Sequence, residues 1–366
     1  MRVQVVDPPA YTPPYDRALC AALAAAGADV ELITTRFAYG PVPPPEGYSV
    51  DEHFYTRASR RPADDPSRRA LRLLEHIPGM RRLRAHARDA DVVHMQWASV
   101  PALDRHLLPR QPLVFTMHDP LPEAGRKRRA WLSLLKQMDA VIAHSLAGVE
   151  NLAAVGIERS RLHRIPHGVF EHLAHQAVER PLPPELAEVE GPVILFFGLV
   201  RPYKGVEVLI EAFRELEGAE LWIVGMPRMD LADYERLAAA CRGRVRFVSR
   251  FVTDPEIPAY FRRADIVALP YRRIEQSGVL YTALAFAKPI VASAVGGFTE
   301  VGETGAIRLV EPGAQDELAA ALAELIANPS AREALAVAAA NAASGEYSWP
   351  AIAARTLDVY RGVVRG

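Results

Sequence analysis

The strongest constraint on this chain is a pattern: short, almost wholly apolar runs recur between helix-like stretches, in two series separated by a proline-rich interruption. A run without polar alternation has no face suited to water. It reads as a strand covered on both sides, the condition of a parallel sheet between helices. The first series comprises Val3–Val6, Val30–Thr34, Asp91–Met95, Leu113–Met117 and Ala140–Ala143. Its opening is a βαβ unit whose helix runs from about Tyr15 to Ala26 and is closed by Gly27. Thr12 is placed to cap that helix, Pro13 supplies a pre-set φ, and Asp16 suits the positive end of the dipole.

The core-facing pattern is lost between Ile165 and Gly191, and a domain boundary is expected there. The second series has strands at Val193–Phe197, Glu220–Val224, Val245–Val248, Ile266–Pro270 and Pro289–Ala292. Helices at Val206–Leu216, Ala232–Arg242, Ile257–Arg263 and Val279–Phe286 alternate with them. Helices at Gln315–Ala327, Ala331–Ala343 and Trp349–Val364 follow. The expected architecture is α/β, two doubly wound Rossmann-like domains over residues 1–168 and 169–345, with 346–366 as a tail.

Half of the 366 residues are apolar, which suffices for two cores and excludes a disordered chain. Forty-three basic and forty-four acidic side chains leave no net field to draw the molecule onto nucleic acid, so any bound anion must be met locally. Cys20 and Cys241 lie in Ala-rich helical stretches and read as small buried hydrophobes, which fits a reducing cytosol. The amino terminus lacks the build of a signal peptide. The longest apolar run, Pro192–Val200, is about half of the roughly twenty residues a membrane span needs, so a cytoplasmic protein is expected.

In doubly wound sheets, ligands sit beyond the carboxyl ends of strands. Two segments pass that filter. After Val193–Phe197 comes GLVRPYKGVEVLIEAF, with Gly198 in the turn, Arg201 and Lys204 in the loop, and Gly205 opening a helix: two cations at a helix start suit a diphosphate. After Ile266–Pro270 comes a polar loop in which Gln276, Ser277 and Gly278 lead into a second helix. The backbone amides of Gly278, Val279 and Leu280 would point above the sheet, and Glu275 could bond a sugar hydroxyl.

The pairing of GLVRPYKGVEVLIEAF with QSGVLYTALAFAKPIVASAVGGFTEV resembles the nucleotide-sugar half of the family 4 retaining glycosyltransferases (glycosyl transferases group 1), which have the GT-B architecture. RFVTDPEIPAYFRRADIVALPY, AHSLAGVENLAAVGIERSRLHRIPHGV and YSWPAIAARTLDVY extend the likeness over nearly the whole chain. The resemblance implies an enzyme that moves a sugar from a nucleotide-diphosphate sugar to an acceptor hydroxyl, without cofactor or metal, and the high Ala, Arg and Pro usage points to a bacterial source. It also implies that the last helix crosses back to the first domain. Arg201 and Lys204 would neutralise the diphosphate, and Gln276, Ser277, Gly278, Val279, Leu280 and Thr282 would complete the donor site. His118 in FTMHDPLP would be the main catalytic side chain, with Glu275 reading the donor sugar. Trp97, Asp119 and Tyr15 would serve the acceptor.

One departure stands out. Many relatives carry two glutamates in this loop and helix, the second bonding the ribose; aligned on Lys288 and Pro289, those positions here are Ile274 and Thr282, a QSG-type variant. Asp89-Ala90-Asp91 matches a metal-binding pattern but precedes a strand, at the wrong end of a sheet. The spacing of His144, His163 and His167 suits no metal site. Arginines at 60, 61, 68, 69, 72, 81, 82 and 84 and the run Arg126–Arg129 crowd the first half; they read as solvated helix faces, with peripheral contact to anionic lipid as the second reading. The competing functions are a nucleotide-sugar epimerase of the same fold and a hinged, two-lobed sugar-binding protein.

Overall fold

The computed structural model describes residues 1–37, 42–62, 65–186, 188–189 and 191–365. They group into two compact units, Met1–Pro166 with Trp349–Gly366, and His167–Ser348.

The first unit is built on seven strands: β1 (Arg2–Asp7), β2 (Asp29–Thr34), β3 (Ser49–Asp51), β4 (Val92–Met95), β5 (Leu113–Met117), β6 (Ala140–Ala143) and β7 (Leu162–Arg164). All pair in parallel, in the order β3-β2-β1-β4-β5-β6-β7. Alternate residues serve two cores. Val3, Val5, Val92, Val114 and Ile142 pack with the helix Pro13–Ala25 and with Ile352, Leu357 and Tyr360 of the closing helix Trp349–Arg365. Val6, Val93, Phe115 and Val141 pack on the other face with Met80 and Leu83 of the helix Ser67–His86. Each such side chain contributes about 1.5–3 kcal/mol of burial. The return of the last helix to this sheet is therefore driven by its own apolar stripe, Ile352, Ala353, Leu357 and Tyr360.

The second unit holds β8 (Val193–Phe197), β9 (Glu220–Val224), β10 (Arg244–Val248), β11 (Ile266–Leu269), β12 (Ile290–Ser293) and β13 (Ile307–Val310), all parallel, in the order β10-β9-β8-β11-β12-β13. Both sheets are doubly wound. The strand order reverses between β1 and β4 in one and between β8 and β11 in the other, so ligand sites belong above those two pairs.

Three local expectations change. Thr12 occupies the cap position with Pro13 behind it, but its side chain makes no capping bond. Its hydroxyl instead lies 3.3 Å from the Asp16 carboxylate and accepts the Trp97 indole N–H at 2.8 Å. β3, β7 and β13 were not legible as strands: all three are edge strands, short and only partly buried, so they need no unbroken apolar run. The helix Ser67–His86 carries Pro78 inside it and is mostly polar, which hides it from periodicity. Among the described residues no helix is long and apolar enough to cross a membrane.

Candidate active site

In the second unit, β8 ends at Gly198, whose φ of 104° turns the chain sharply. The loop passes Arg201, forms a single 3-10 turn at Pro202–Lys204, and reaches Gly205 (φ 63°), from which the helix Val206–Phe213 starts. This path buries Lys204 to 7% exposure and sets its ammonium 4.8 Å from the Tyr271 ring centroid and 5.9 Å from that of Phe196. Among the described residues it forms no ion pair. Arg201 is exposed.

The second loop arrives at the same point. A Cβ on Gly198 would lie 3.3 Å from Lys204 Nζ and 3.2 Å from Val279 Cγ2, so the first turn of the helix Gly278–Ala285 stands against the Gly198 turn. Ser277 is the cap residue but its side chain does not cap; its hydroxyl lies 3.4 Å from that of Tyr271. The amides of Gly278 and Val279 belong to the turn that lacks intrahelical acceptors. Leu280 differs from expectation: its amide donates to the Ser277 carbonyl at 3.0 Å, and its side chain is fully buried. Gln276 also differs, because its Oε1 accepts the Tyr281 hydroxyl at 2.5 Å and its amide packs over Gly297, so it shapes the loop. Glu275 is half-buried, and its carbonyl accepts the Gly297 amide at 2.9 Å.

In the first unit, the residues beyond β1, β4, β5 and β6 form one aromatic cluster. His118 stacks on Trp97 (centroids 5.2 Å, planes 16° apart) and meets the edge of Tyr15 at 4.8 Å. His144 Nδ1 donates to the Ile165 carbonyl at 3.0 Å, which leaves its Nε2 as acceptor, 3.2 Å from His118 Nδ1. His118 Nε2 lies 2.9 Å from Gln96 Oε1, so both ring nitrogens face protein acceptors. A bond from Nε2 to a sugar hydroxyl requires Gln96 to give way. Tyr15 is buried under this cluster, against His118, His144 and Trp349, and supports the histidines instead of facing an acceptor. Trp97 is half-buried, and Asp119 is exposed in the following loop, with partial burial raising its carboxyl pKa. Asp91, by contrast, accepts the Arg2 amide at 2.7 Å at the amino end of the sheet, away from these loops.

Comparison with known proteins matches residues 191–328 to the family described as Glycosyl transferases group 1 and residues 17–171 to Glycosyltransferase Family 4. A D-inositol 3-phosphate glycosyltransferase from Xylanimonas cellulosilytica is 30% identical over 93% of this chain and 89% of its own length. The chain belongs to glycosyltransferase family 4. Among solved structures, the sucrose-phosphate synthase of Thermosynechococcus elongatus superposes with a TM-score of 0.71 at 19% identity, covering 99% of this chain and 98% of that one. Anabaena HepE in complex with UDP gives 0.71 at 20% identity, covering 99% and 100%. These two establish the GT-B fold.

In this glycosyltransferase Thr282, at the place of the second family glutamate, spends its hydroxyl on the Gly278 carbonyl at 2.9 Å and is buried. It is helix packing and offers no bond to a ribose. Sequence reasoning missed Tyr271, the ring beneath Lys204, though its place directly after β11 was a signal. It also missed the links of Gln96 and His144 to His118, which join three different strand ends and leave no trace in spacing.

The buried imidazoles carry a pH prediction. Burial drives the pKa of His144 down to about 4 and that of His94 to about 3. The unfolded chain takes up these protons first, so the stability is present above the unfolded value near 6.5 and is lost as pH falls, at about 1.4 kcal/mol per pH unit for each histidine. Asp7 and Asp16, raised by burial, act in the opposite sense: what they contribute is lost as pH rises above the ordinary carboxylate range. The two senses oppose each other between pH 6.5 and 5, so the histidine contribution is read as a difference: replacing His144 by Gln should flatten the fall of the melting temperature over that window relative to the wild type, and an unchanged pH profile would contradict a neutral, buried imidazole.

Proposed function

We propose that this glycosyltransferase takes its sugar from a nucleotide-diphosphate donor held by the second unit and passes it to an acceptor hydroxyl with retention of anomeric configuration. One observation carries the reading: Lys204, a buried ammonium with no ion pair among the described residues, meets the first turn of a helix at a glycine turn. Such a place disfavours empty occupancy and favours a multiply charged anion. Lys204, the Gly278 and Val279 amides and, from solvent, Arg201 would offset the diphosphate charge as the bond from the anomeric carbon to the phosphate oxygen breaks. These groups do the work a divalent metal does elsewhere, and no cofactor is needed. The acceptor oxygen would attack on the face the phosphate is leaving, and its proton would pass to the departing phosphate oxygen.

His118, pinned by Gln96, His144 and Trp97, would act on the donor sugar, and Asp119 and Trp97 on the acceptor. Glu275 would read the sugar hydroxyls. The protein would work in the cytoplasm, beside anionic lipid: the helix Ser67–His86 exposes Leu73 (57%) and Ile77 (36%) on one stripe with Arg69 and Arg81.

A panel of nucleoside diphosphates and their sugars, screened by melting temperature, tests the donor, since only a bound ligand raises the midpoint. His118→Ala should keep that rise and lose transfer by about 10²-fold or more. Product of inverted configuration in proton NMR, or activity abolished by EDTA, would reject the mechanism.

A further inference from the structure

A cavity of about 670 Å³ opens beside the start of the helix Ser67–His86 in the first unit. Pro9 and Tyr11, which follow β1, and Ser99, which follows β4, line one side, so it sits at the carboxyl edge where the strand order reverses. The other side presents Arg68, Arg69 and Arg72. The carboxylate among the lining residues, Asp65, accepts the Ser67 amide at 2.8 Å and its hydroxyl at 2.6 Å, and stands 3.7 Å from Arg61.

The arginines differ in setting. Arg68 is buried, Arg69 is exposed, and Arg72 lies over the Tyr55 ring at 5.4 Å. Arg72 Nε is buried and has no hydrogen-bond partner among the described residues. The floor beneath is rigid: the Tyr55 hydroxyl is 2.8 Å from His76 Nδ1 and donates to Ser99 at 2.9 Å, while His76 Nε2 is 2.5 Å from Asp104. The cavity also leads toward the catalytic cluster, since Tyr11 meets Trp97 edge-on at 5.2 Å and Trp97 stacks on His118.

We infer that this cavity receives the phosphate of an acceptor bearing a phosphomonoester. Arg69 and Arg72 face the cavity beside a lining carboxylate that Ser67 already engages, and their guanidinium forks match the doubly charged oxygens of a phosphomonoester better than a single carboxylate. Anchored there, the rest of the acceptor extends along Tyr11 and Trp97 toward His118. The inference rests on the transferase reading above and adds the class of its acceptor. The phosphomonoester is either that of a small soluble alcohol or the head of a lipid.

Glycerol 3-phosphate and glycerol serve as soluble probes by calorimetric titration of the full chain, and phosphatidic acid in phosphatidylcholine vesicles serves as the lipid probe by flotation. Arg72→Gln and Arg69→Gln should each weaken phosphomonoester binding about tenfold or more, while Arg82→Gln, an exposed charge on the same helix, should not. Because Arg69 is exposed, its variant separates binding from any folding defect at Arg72. Calorimetric binding assigns the soluble source; flotation alone, lost in Arg72→Gln but kept in Arg82→Gln, assigns the lipid. Equal binding of glycerol and its phosphate with no vesicle binding, or retention in both pocket variants, overturns the inference. The melting shift with nucleoside diphosphates, followed in parallel, is independent: its absence in the wild type counts against the donor site and leaves the pocket standing.

Discussion

Lys204→Ala is expected to lower the rate of sugar transfer by about 10²–10³-fold and to erase the rise in melting temperature produced by the nucleotide donor. The expected effect is one of charge. An ammonium at 7% exposure, with aromatic rings as its neighbours and no ion pair among the described residues, costs the ligand-free protein several kcal/mol of order-of-magnitude desolvation, offset only in part by the rings. Removing it should leave the ligand-free protein as stable as before or more so, while the donor loses its buried counter-charge. That split distinguishes a binding residue from a structural one. Lys204→Arg should restore activity only in part, because a guanidinium presents its donors in a fixed planar fork where the lysine offers a compact point charge. Melting scans with and without donor, together with initial rates, decide the matter; an unchanged rate in Lys204→Ala would remove the main support for the donor site.

The second large effect is expected at Gly205. Its φ of 63° is left-handed, and a Cβ there would overlap the Pro270 carbonyl oxygen at the end of β11. Gly205→Ala therefore combines a conformational cost with a backbone clash that no side-chain rotation relieves, and about 3 kcal/mol or more of stability should be lost. Gly218, with φ 74° and nothing near its would-be Cβ, provides the control: Gly218→Ala carries the conformational cost alone, about 1–2 kcal/mol. Because Lys204 precedes Gly205, the clash should also move the ammonium, so residual activity at low temperature should fall as in Lys204→Ala. Denaturant melts of the two variants measure the difference, and equal losses would show that the contact with Pro270 is slack.

Much of the fold could be read from the chain because a strand buried on both faces admits little but apolar residues. β5, β6, β8 and β9 coincide with their apolar runs. The edge strands β3, β7 and β13 escaped because one side of each lacks a neighbour, and the demand for apolar residues relaxes there. For the site, Arg201, Lys204 and Gly278 could be named because each lies between the carboxyl end of a strand and the helix that follows it, and the topological rule needs only chain order. Leu280 was named on the same grounds, and Thr282 and Tyr15 from the resemblance, yet all three turn inward, since a helix or cluster decides which way a side chain or amide points.

What the amino-acid sequence determines here is thus the alternation of strands and helices, the two loops rich in glycine and cations, and membership of a glycosyltransferase family. These are properties of local composition and order along the chain. What only the tertiary structure decides is which polar groups remain open to a ligand. His118 meets Gln96 and His144 across three strands, Lys204 is turned over Tyr271, and three arginines of one helix face residues that follow β1 and β4. Each of those meetings joins residues far apart in the chain. The packing that closes the loops brings them together, and it depends on shape and burial that spacing does not encode.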